Sequence, residues 1–317
     1  MKALLLAAGL GTRLRPLTEV LPKPLCLFYG RPILDLVYEQ IKRAGIHEIA
    51  INTHHLSKLI SQHIQDHPSV YTPPPHISHE PEILGTGGAI NPLRPWLGDD
   101  DLLICNGDVI ADIDLTALVQ QHRESGSDAT MVLLDRHKKG TNPVAYEGSQ
   151  IHAIGDQPVR ATEKHKLATF SGIHIVGPRL VRAIAPSGSP SIIEAYIRLL
   201  AEGARIQAFL HRGFWEDLGT PRDYFAAHQA ALSHPDRAQL CQRLGLDQSI
   251  QFEGDSALCG PGPFPRARQN SFLFGPIQGD QGEQPIQSCL VYPYTVMKPG
   301  QNLENVIKTP EVSMQIV

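Results

Sequence analysis

The sequence predicts an α/β protein, and three observations predict it. The chain opens on a continuous apolar run that ends in glycines, KALLLAAG. Short apolar runs and segments of helical period then alternate through the first half of the chain. Its 317 residues, 42% of them hydrophobic, suffice for one large α/β domain with an appendage, or for two domains.

Taken in order, KALLLAAG reads as a central parallel strand buried on both faces. RPILDLVYEQIKRAG reads as a helix, with Pro32 near its start and Gly45 at its end. HEIAINTH is a second strand and LSKLISQHIQDH a second helix. This spacing implies βαβ units and parallel pairing. LLICNGDV is a strand with a polar tip, DLTALVQQHRES a helix that Asp114 can cap, and ATMVLLDR another strand. Short strands follow over 142–176, including QIHAIGD and ATFSGIHIV. SIIEAYIRLLAEG is a helix, RIQAFLHRGFWEDLG a strand with a turn, and PRDYFAAHQAAL a last helix. The expected architecture is Rossmann-like, a mixed, mostly parallel sheet flanked by helices over 1–234. In 235–317 the texture changes. Residues 251–287 are rich in Gly, Pro and Gln and read as irregular. The stretch 288–312 offers short β runs about six residues apart, like one or two coils of a hexapeptide β-helix packed on the main domain.

A net charge of −4 argues against a nucleic-acid partner. No apolar run has the length of a bilayer span, and the N-terminus does not read as a signal peptide, so a cytoplasmic protein is expected. The five cysteines form no CxxC pair and read as free thiols. His63 and His67 stand four apart, but on the face opposite Leu56, Leu59, Ile60 and Ile64 they read as solvent-facing.

The loop LAAGLGTRLRPLTEVLPKP invites a phosphate reading. A dinucleotide fold needs G-x-G-x-x-G and an acidic residue after the second strand. Here Leu14 stands at the third glycine position and the second strand ends Asn52-Thr53-His54-His55. No P-loop string occurs either. What remains is a loop with its own cations. Gly9 and Gly11 allow close backbone approach, Arg13 supplies a planar fork, and Lys23 is a point charge between two prolines. Each cation alone could be a solvated surface side chain.

GLGTRLRPLT followed by PKPL resembles the signature of the sugar-1-phosphate nucleotidylyltransferases (NDP-sugar pyrophosphorylases). The resemblance extends through LGTGGAI, CNGDV, ATEKHKLATFSGIHIV and FWEDLGTPRDY, over roughly the first 230 residues. TFSGI and the compact sugar region look most like those of bacterial types acting on mannose-, heptose- or N-acetylmuramate-type 1-phosphates. The tail is similar to the short left-handed β-helix pieces of many family members. The resemblance implies transfer of a nucleoside monophosphate from an NTP, GTP or UTP foremost, to a sugar 1-phosphate. Arg13 would contact the leaving pyrophosphate and Lys23 the α-phosphate side. Ala8, Gly9, Gly11, Thr12, Gly85, Thr86, Gly87, Gly88 and Asn106 would bind the nucleotide; for 85–88 a helix-opening glycine turn is the alternative. Asn142, Glu163, Lys164 and Gly172 would border the sugar phosphate, and Asp108 and Asp217 would hold Mg²⁺. Asp112 and Asp114 read as turn or cap residues, and Glu216 is left open. The chain departs from the family pattern at His165, where Glu-Lys is ordinarily followed by proline, at Gly87, where alanine is common, and in CLFYGRP. A CTP-dependent phosphocholine-type cytidylyltransferase and a catalytically idle nucleotide-sugar-binding regulator are the competing readings. A homo-oligomer is compatible with all of them.

Overall fold

The structure is a computed structural model describing residues 1–136, 141–155, 165–246, 250–262, 264, 268–279, 285–298 and 301–316. The chain forms two compact units that interleave along the sequence. One comprises Met1–Gly9, Val37–Gly107 and Ile113–Gly213; the other comprises Leu10–Leu36, Asp108–Asp112 and Phe214–Val317.

The first unit is built on a nine-stranded sheet. Its strands are β1 (Lys2–Leu6), β2 (Ile49–Thr53), β3 (His76–His79), β4 (Leu102–Asn106), β5 (Ala129–Leu134), β6 (Pro143–Glu147), β7 (Gln150–Ile154), β8 (Lys166–Val176) and β9 (Ile206–His211). Their spatial order is β3-β2-β1-β4-β8-β5-β9-β7-β6, and β8 also pairs with β6. β1 lies between β2 and β4, parallel to both, with Leu5 opposite Ile51 and Cys105. Ala3, Leu4 and Leu5 are wholly buried, as a strand covered on both faces requires. Leu4, Leu102 and Ile104 share a core cluster with Ile90, Leu93, Leu180, Tyr196 and Leu199, so short helices over 85–97, the helix Pro178–Ala183 and the helix Ile192–Ala201 cover that face. The helix Leu115–Ser125 is capped by the Asp114 carboxylate, which accepts from the Ala117 amide at 2.9 Å.

The sheet is mixed, but not mostly parallel. β8 runs antiparallel to β4, β5 and β6, and β7 runs antiparallel to β6 and β9. The reason lies in the connections. Only Gly148 and Ser149 separate β6 from β7, and parallel neighbours need a longer crossover.

In the second unit, Trp215–Asp217 pairs antiparallel with Val109–Ala111. Residues 251–287 are not irregular throughout: Ser256–Cys259, Arg268–Gln269, Phe272–Phe274 and Gln278–Gly279 are short strands. They stack in parallel with the strands that follow. Phe272 pairs with Leu290 and Leu290 with Ile307, while Arg268 pairs with Ile286 and Ile286 with Leu303. One coil therefore recurs every 17 or 18 residues, three hexapeptides long. Strands this short cannot display a two-residue alternation, which is why composition hides them. Leu258, Leu273, Cys289, Val291 and Met297 fill the coil interior.

Candidate active site

In the second unit the charged residues assemble around Lys23. Its side chain is almost buried, and Nζ donates to Asp108 Oδ2 at 2.7 Å and lies 3.7 Å from Asp217 Oδ1. The two carboxylates are brought together by backbone pairing: Asp217 stands opposite Val109, and the Leu218 amide donates to the Asp108 carbonyl at 3.1 Å. Both carboxylates keep about a third of their side-chain surface in solvent. A pair of partly exposed carboxylates sharing one cation is a donor set that fits Mg²⁺, a hard ion that takes one or two carboxylates and completes its shell with phosphate and water. Asp112 is different. Its side chain is nearly buried and is paired with Arg243 at 3.0 Å, a structural ion pair. Glu216 faces Ile110 in the short ladder.

Arg13 is exposed, and among the described residues it shows no ion pair. Its guanidinium lies against Gly219, where an added Cβ would come within 2.8–3.0 Å of the guanidinium atoms. The loop carrying it is fixed at Gly11, which has φ +60° and whose carbonyl accepts from the buried Thr18 hydroxyl at 2.8 Å. A Cβ at Gly11 would meet Thr18 Cγ2 at 2.7 Å, so glycine is required twice over, by its φ and by close approach. Thr12 is exposed on the same loop.

The Lys23 loop has a deeper support. Leu27 donates its amide to Tyr292 Oη at 3.1 Å, Tyr224 Oη hydrogen-bonds both the Leu27 carbonyl and Tyr292 Oη, and Tyr29 Oη donates to the His228 carbonyl at 2.7 Å. His228 is fully buried. Its Nδ1 donates to the Tyr224 carbonyl at 2.9 Å, and its Nε2 accepts from the Tyr29 amide at 3.3 Å. A second proton would point at that amide, and burial holds the imidazole pKa down at about 3. The CLFYG departure is thus the seat on which a residue of the β-coil tail rests. Burial also pushes the Cys26 thiol beside this seat up to about 12, so it is no nucleophile.

In the first unit the glycine-rich strand ends gather at the same edge of the sheet. Ala8 is buried and Gly9 is exposed, with open space where a Cβ would stand. The Ala7 amide donates to Asn52 Oδ1 at 2.7 Å, Asn52 Nδ2 donates to Glu80 Oε1 at 2.7 Å, and Glu80 Oε2 accepts from the Leu84 amide at 2.9 Å. This buried chain ties the end of β1 to the turn that opens Gly85–Gly88. Neither Asn52 nor Glu80 stood out in the sequence; the signal available was a polar residue closing an otherwise apolar strand. Gly85–Gly88 is one helical turn laid against the chain's own loop. The Gly87 and Gly88 amides donate to the Pro190 carbonyl, and a Cβ at 85 or 87 would meet backbone oxygens of Ser189 or Pro190 at 2.9 Å. The Thr86 hydroxyl accepts from the Ile192 amide at 3.1 Å. Asn106 lies against Gly172, which has φ +83° at a register shift of β8; a Cβ there would sit 2.5 Å from Asn106 Nδ2. Asn142 is exposed just before β6. Glu163 and Lys164 lie outside the described residues.

The chain is thus an α/β protein with an acidic pair bridged by a lysine in one unit and glycine-rich strand ends in the other. Residues 2–234 match the nucleotidyl transferase family, and the chain belongs to it. It is 33% identical over 232 residues to a protein of Danio rerio named mannose-1-phosphate guanylyltransferase catalytic subunit beta, covering 71% of this chain and 62% of that protein. It is 31% identical over 231 residues to a probable mannose-1-phosphate guanylyltransferase 1 of Oryza sativa subsp. japonica, covering 71% and 63%. The chain thus spans less than two thirds of these relatives' length. Among solved structures, a UDP-glucose pyrophosphorylase from Acinetobacter baumanii superposes with a TM-score of 0.61 at 20% identity, over 77% of this chain and 97% of that one. That likeness shows the fold.

Proposed function

We propose that the chain is a Mg²⁺-dependent sugar-1-phosphate nucleotidylyltransferase. The observation that carries the reading is Lys23 set between Asp108 and Asp217, in a chain of the nucleotidyl transferase family. A phosphate oxygen of the sugar 1-phosphate attacks the α-phosphorus of the NTP, the bond from that phosphorus to the bridging α–β oxygen breaks, and pyrophosphate leaves. The nucleophile is already an anion, so the reaction asks the protein for charge and alignment rather than for a base. When bound to Asp108 and Asp217, Mg²⁺ supplies a dication that shares the phosphate charge. Lys23 then turns its ammonium to the α-phosphate, and Arg13 offers its exposed fork to the leaving pyrophosphate. Ala8, Gly9, Gly11, Thr12, Gly85, Thr86, Gly87, Gly88 and Asn106 serve the nucleotide. Asn142, Glu163, Lys164 and Gly172 serve the sugar phosphate.

The names of the relatives favour GTP with mannose 1-phosphate, and UTP is the next nucleotide to try. No helix among the described residues is long and apolar enough to cross a membrane, which suits the cytoplasmic setting we infer. Residues 1–234 form the catalytic part in this reading. The coils of 235–317 are a short left-handed β-helix that supports the Lys23 loop and offers a face for self-association.

The test is pyrophosphate release with Mg²⁺, crossing GTP, UTP, dTTP, CTP and ATP against sugar 1-phosphates and phosphocholine. Release that depends on one nucleotide and one sugar 1-phosphate supports the reading. Release with CTP and phosphocholine replaces it with the cytidylyltransferase. Nucleotide-sugar binding with no release under any pairing replaces it with the idle regulator.

A further inference from the structure

The first unit carries a second cluster of metal-ligating side chains, on strands far from the glycine loop in sequence. Glu147 ends β6, and β6 is flanked by β7 on one side and β8 on the other. Each neighbour contributes a histidine. His152 comes from β7, where Ile151 pairs with Tyr146 and Ala153 with Ala145, so His152 is the extra residue of a β-bulge. A bulge re-aims the side chain it carries, and His152 is exposed between two buried residues. His165 immediately precedes Lys166, which stands opposite Tyr146, so the antiparallel register brings His165 alongside Glu147. His165 Nε2 lies 3.9 Å from Glu147 Oε2, and the two imidazole centroids are 4.7 Å apart. One ligating atom from each of the three residues lies within 4.8 Å of the others. His165 also occupies the position where Glu-Lys is ordinarily followed by proline, so this corner of the cluster is a departure of this chain.

We propose that Glu147, His152 and His165 form a binding site for a divalent transition metal of the zinc class. Two imidazoles and one carboxylate make a borderline donor set that suits Zn²⁺ and not Mg²⁺. Zinc–ligand bonds of about 2.0–2.1 Å place tetrahedral ligands somewhat over 3 Å apart, so modest side-chain rotations close the present cluster onto one ion. Three protein ligands leave a fourth position to water. An ion here joins β7 to β8 across β6, a side-chain staple over three neighbouring strands.

The test uses the full chain freed of metal by chelator, then titrated with Zn²⁺ against a chromogenic competitor in excess Mg²⁺. One zinc per chain is expected. His152→Ala and Glu147→Gln each weaken uptake by about tenfold or more, and His165→Pro abolishes it. His63→Ala disrupts another close imidazole pair, whose centroids are 4.2 Å apart, and leaves uptake unchanged. Circular dichroism establishes that each variant is folded. Absence of zinc uptake by the unaltered chain overturns the proposal. So does uptake that His152→Ala and His165→Pro leave intact, or that His63→Ala removes.

Discussion

Two histidines should make this protein acid-labile well above the pH at which its carboxylates titrate. His174 and His228 are both buried, and burial lowers each imidazole pKa to about 3 from about 6.5 in the unfolded chain. His174 is held at Nδ1 by Tyr196 Oη at 2.7 Å, and His228 uses both ring nitrogens. Between pH 3 and 6.5 the unfolded chain binds a proton at each site that the folded chain does not, so stability rises with pH across that window. The linkage is about 1.4 kcal/mol per pH unit per histidine and flattens above pH 7. Lowering the pH from 7 to 5 therefore costs about 2 kcal/mol at each site. Most carboxylates remain ionised there, so the loss belongs to the imidazoles. The assay is urea unfolding at pH 5, 6 and 7 for the unaltered chain, His174→Gln and His228→Gln. Each variant is less stable at pH 7 and loses part of its deficit at pH 5, narrowing the gap by about 2 kcal/mol. A gap independent of pH would refute the reasoning, because the native imidazole would then take up its proton as readily as the unfolded one.

Other substitutions probe the residues of the proposed site. Lys23→Met leaves Asp108 and Asp217 without their shared ammonium. Stability without metal should fall by about 1–2 kcal/mol, and kcat/KM by about 10²–10³. Mg²⁺ should then raise the thermal midpoint more in the variant than in the unaltered chain; equal shifts would argue that the carboxylates do not share one cation position. Gly219→Ala intrudes on the Arg13 guanidinium, the free end of a flexible side chain, so KM for the nucleotide should rise while the unfolding midpoint holds. Gly107→Ala meets something that cannot move. A Cβ would sit 2.5 Å from the Leu6 carbonyl oxygen, which already accepts the Gly107 amide, and destabilisation of about 1–3 kcal/mol is expected by urea titration.

The legible part of this molecule was the part whose chemistry shows in residue type. The α/β alternation was visible because apolar runs and helical periods differ in kind. The family resemblance was visible because glycines, Arg13, Lys23 and the aspartates stand at tell-tale spacings. The direction of β8 was not visible, since a strand's apolar pattern is the same whichever way it enters the sheet. For the 85–88 glycines the sequence leaves a nucleotide contact and a helix-opening turn both open. Glycine can admit a ligand or a neighbouring backbone, and here Gly87 and Gly88 give their amides to Pro190, about a hundred residues along the chain.

The supports of the site share that remoteness. Lys23 can be picked out because a cation between prolines is unusual. What seats its loop is Tyr224 and Tyr292, which reach Leu27 across 197 and 265 residues of chain. Ala7 is held by Asn52, a residue that looked only like the end of a strand lacking the expected carboxylate. A reacting group must have one chemical character, so few residue types can supply it. A supporting group needs only a donor or acceptor in the right place, and many residues at many distances can offer one. Sequence reading therefore finds the first kind and misses the second. The CLFYG departure is of the second kind: through Leu27 and Tyr29 the coils of the tail bear on the position of the ammonium that Asp108 and Asp217 share.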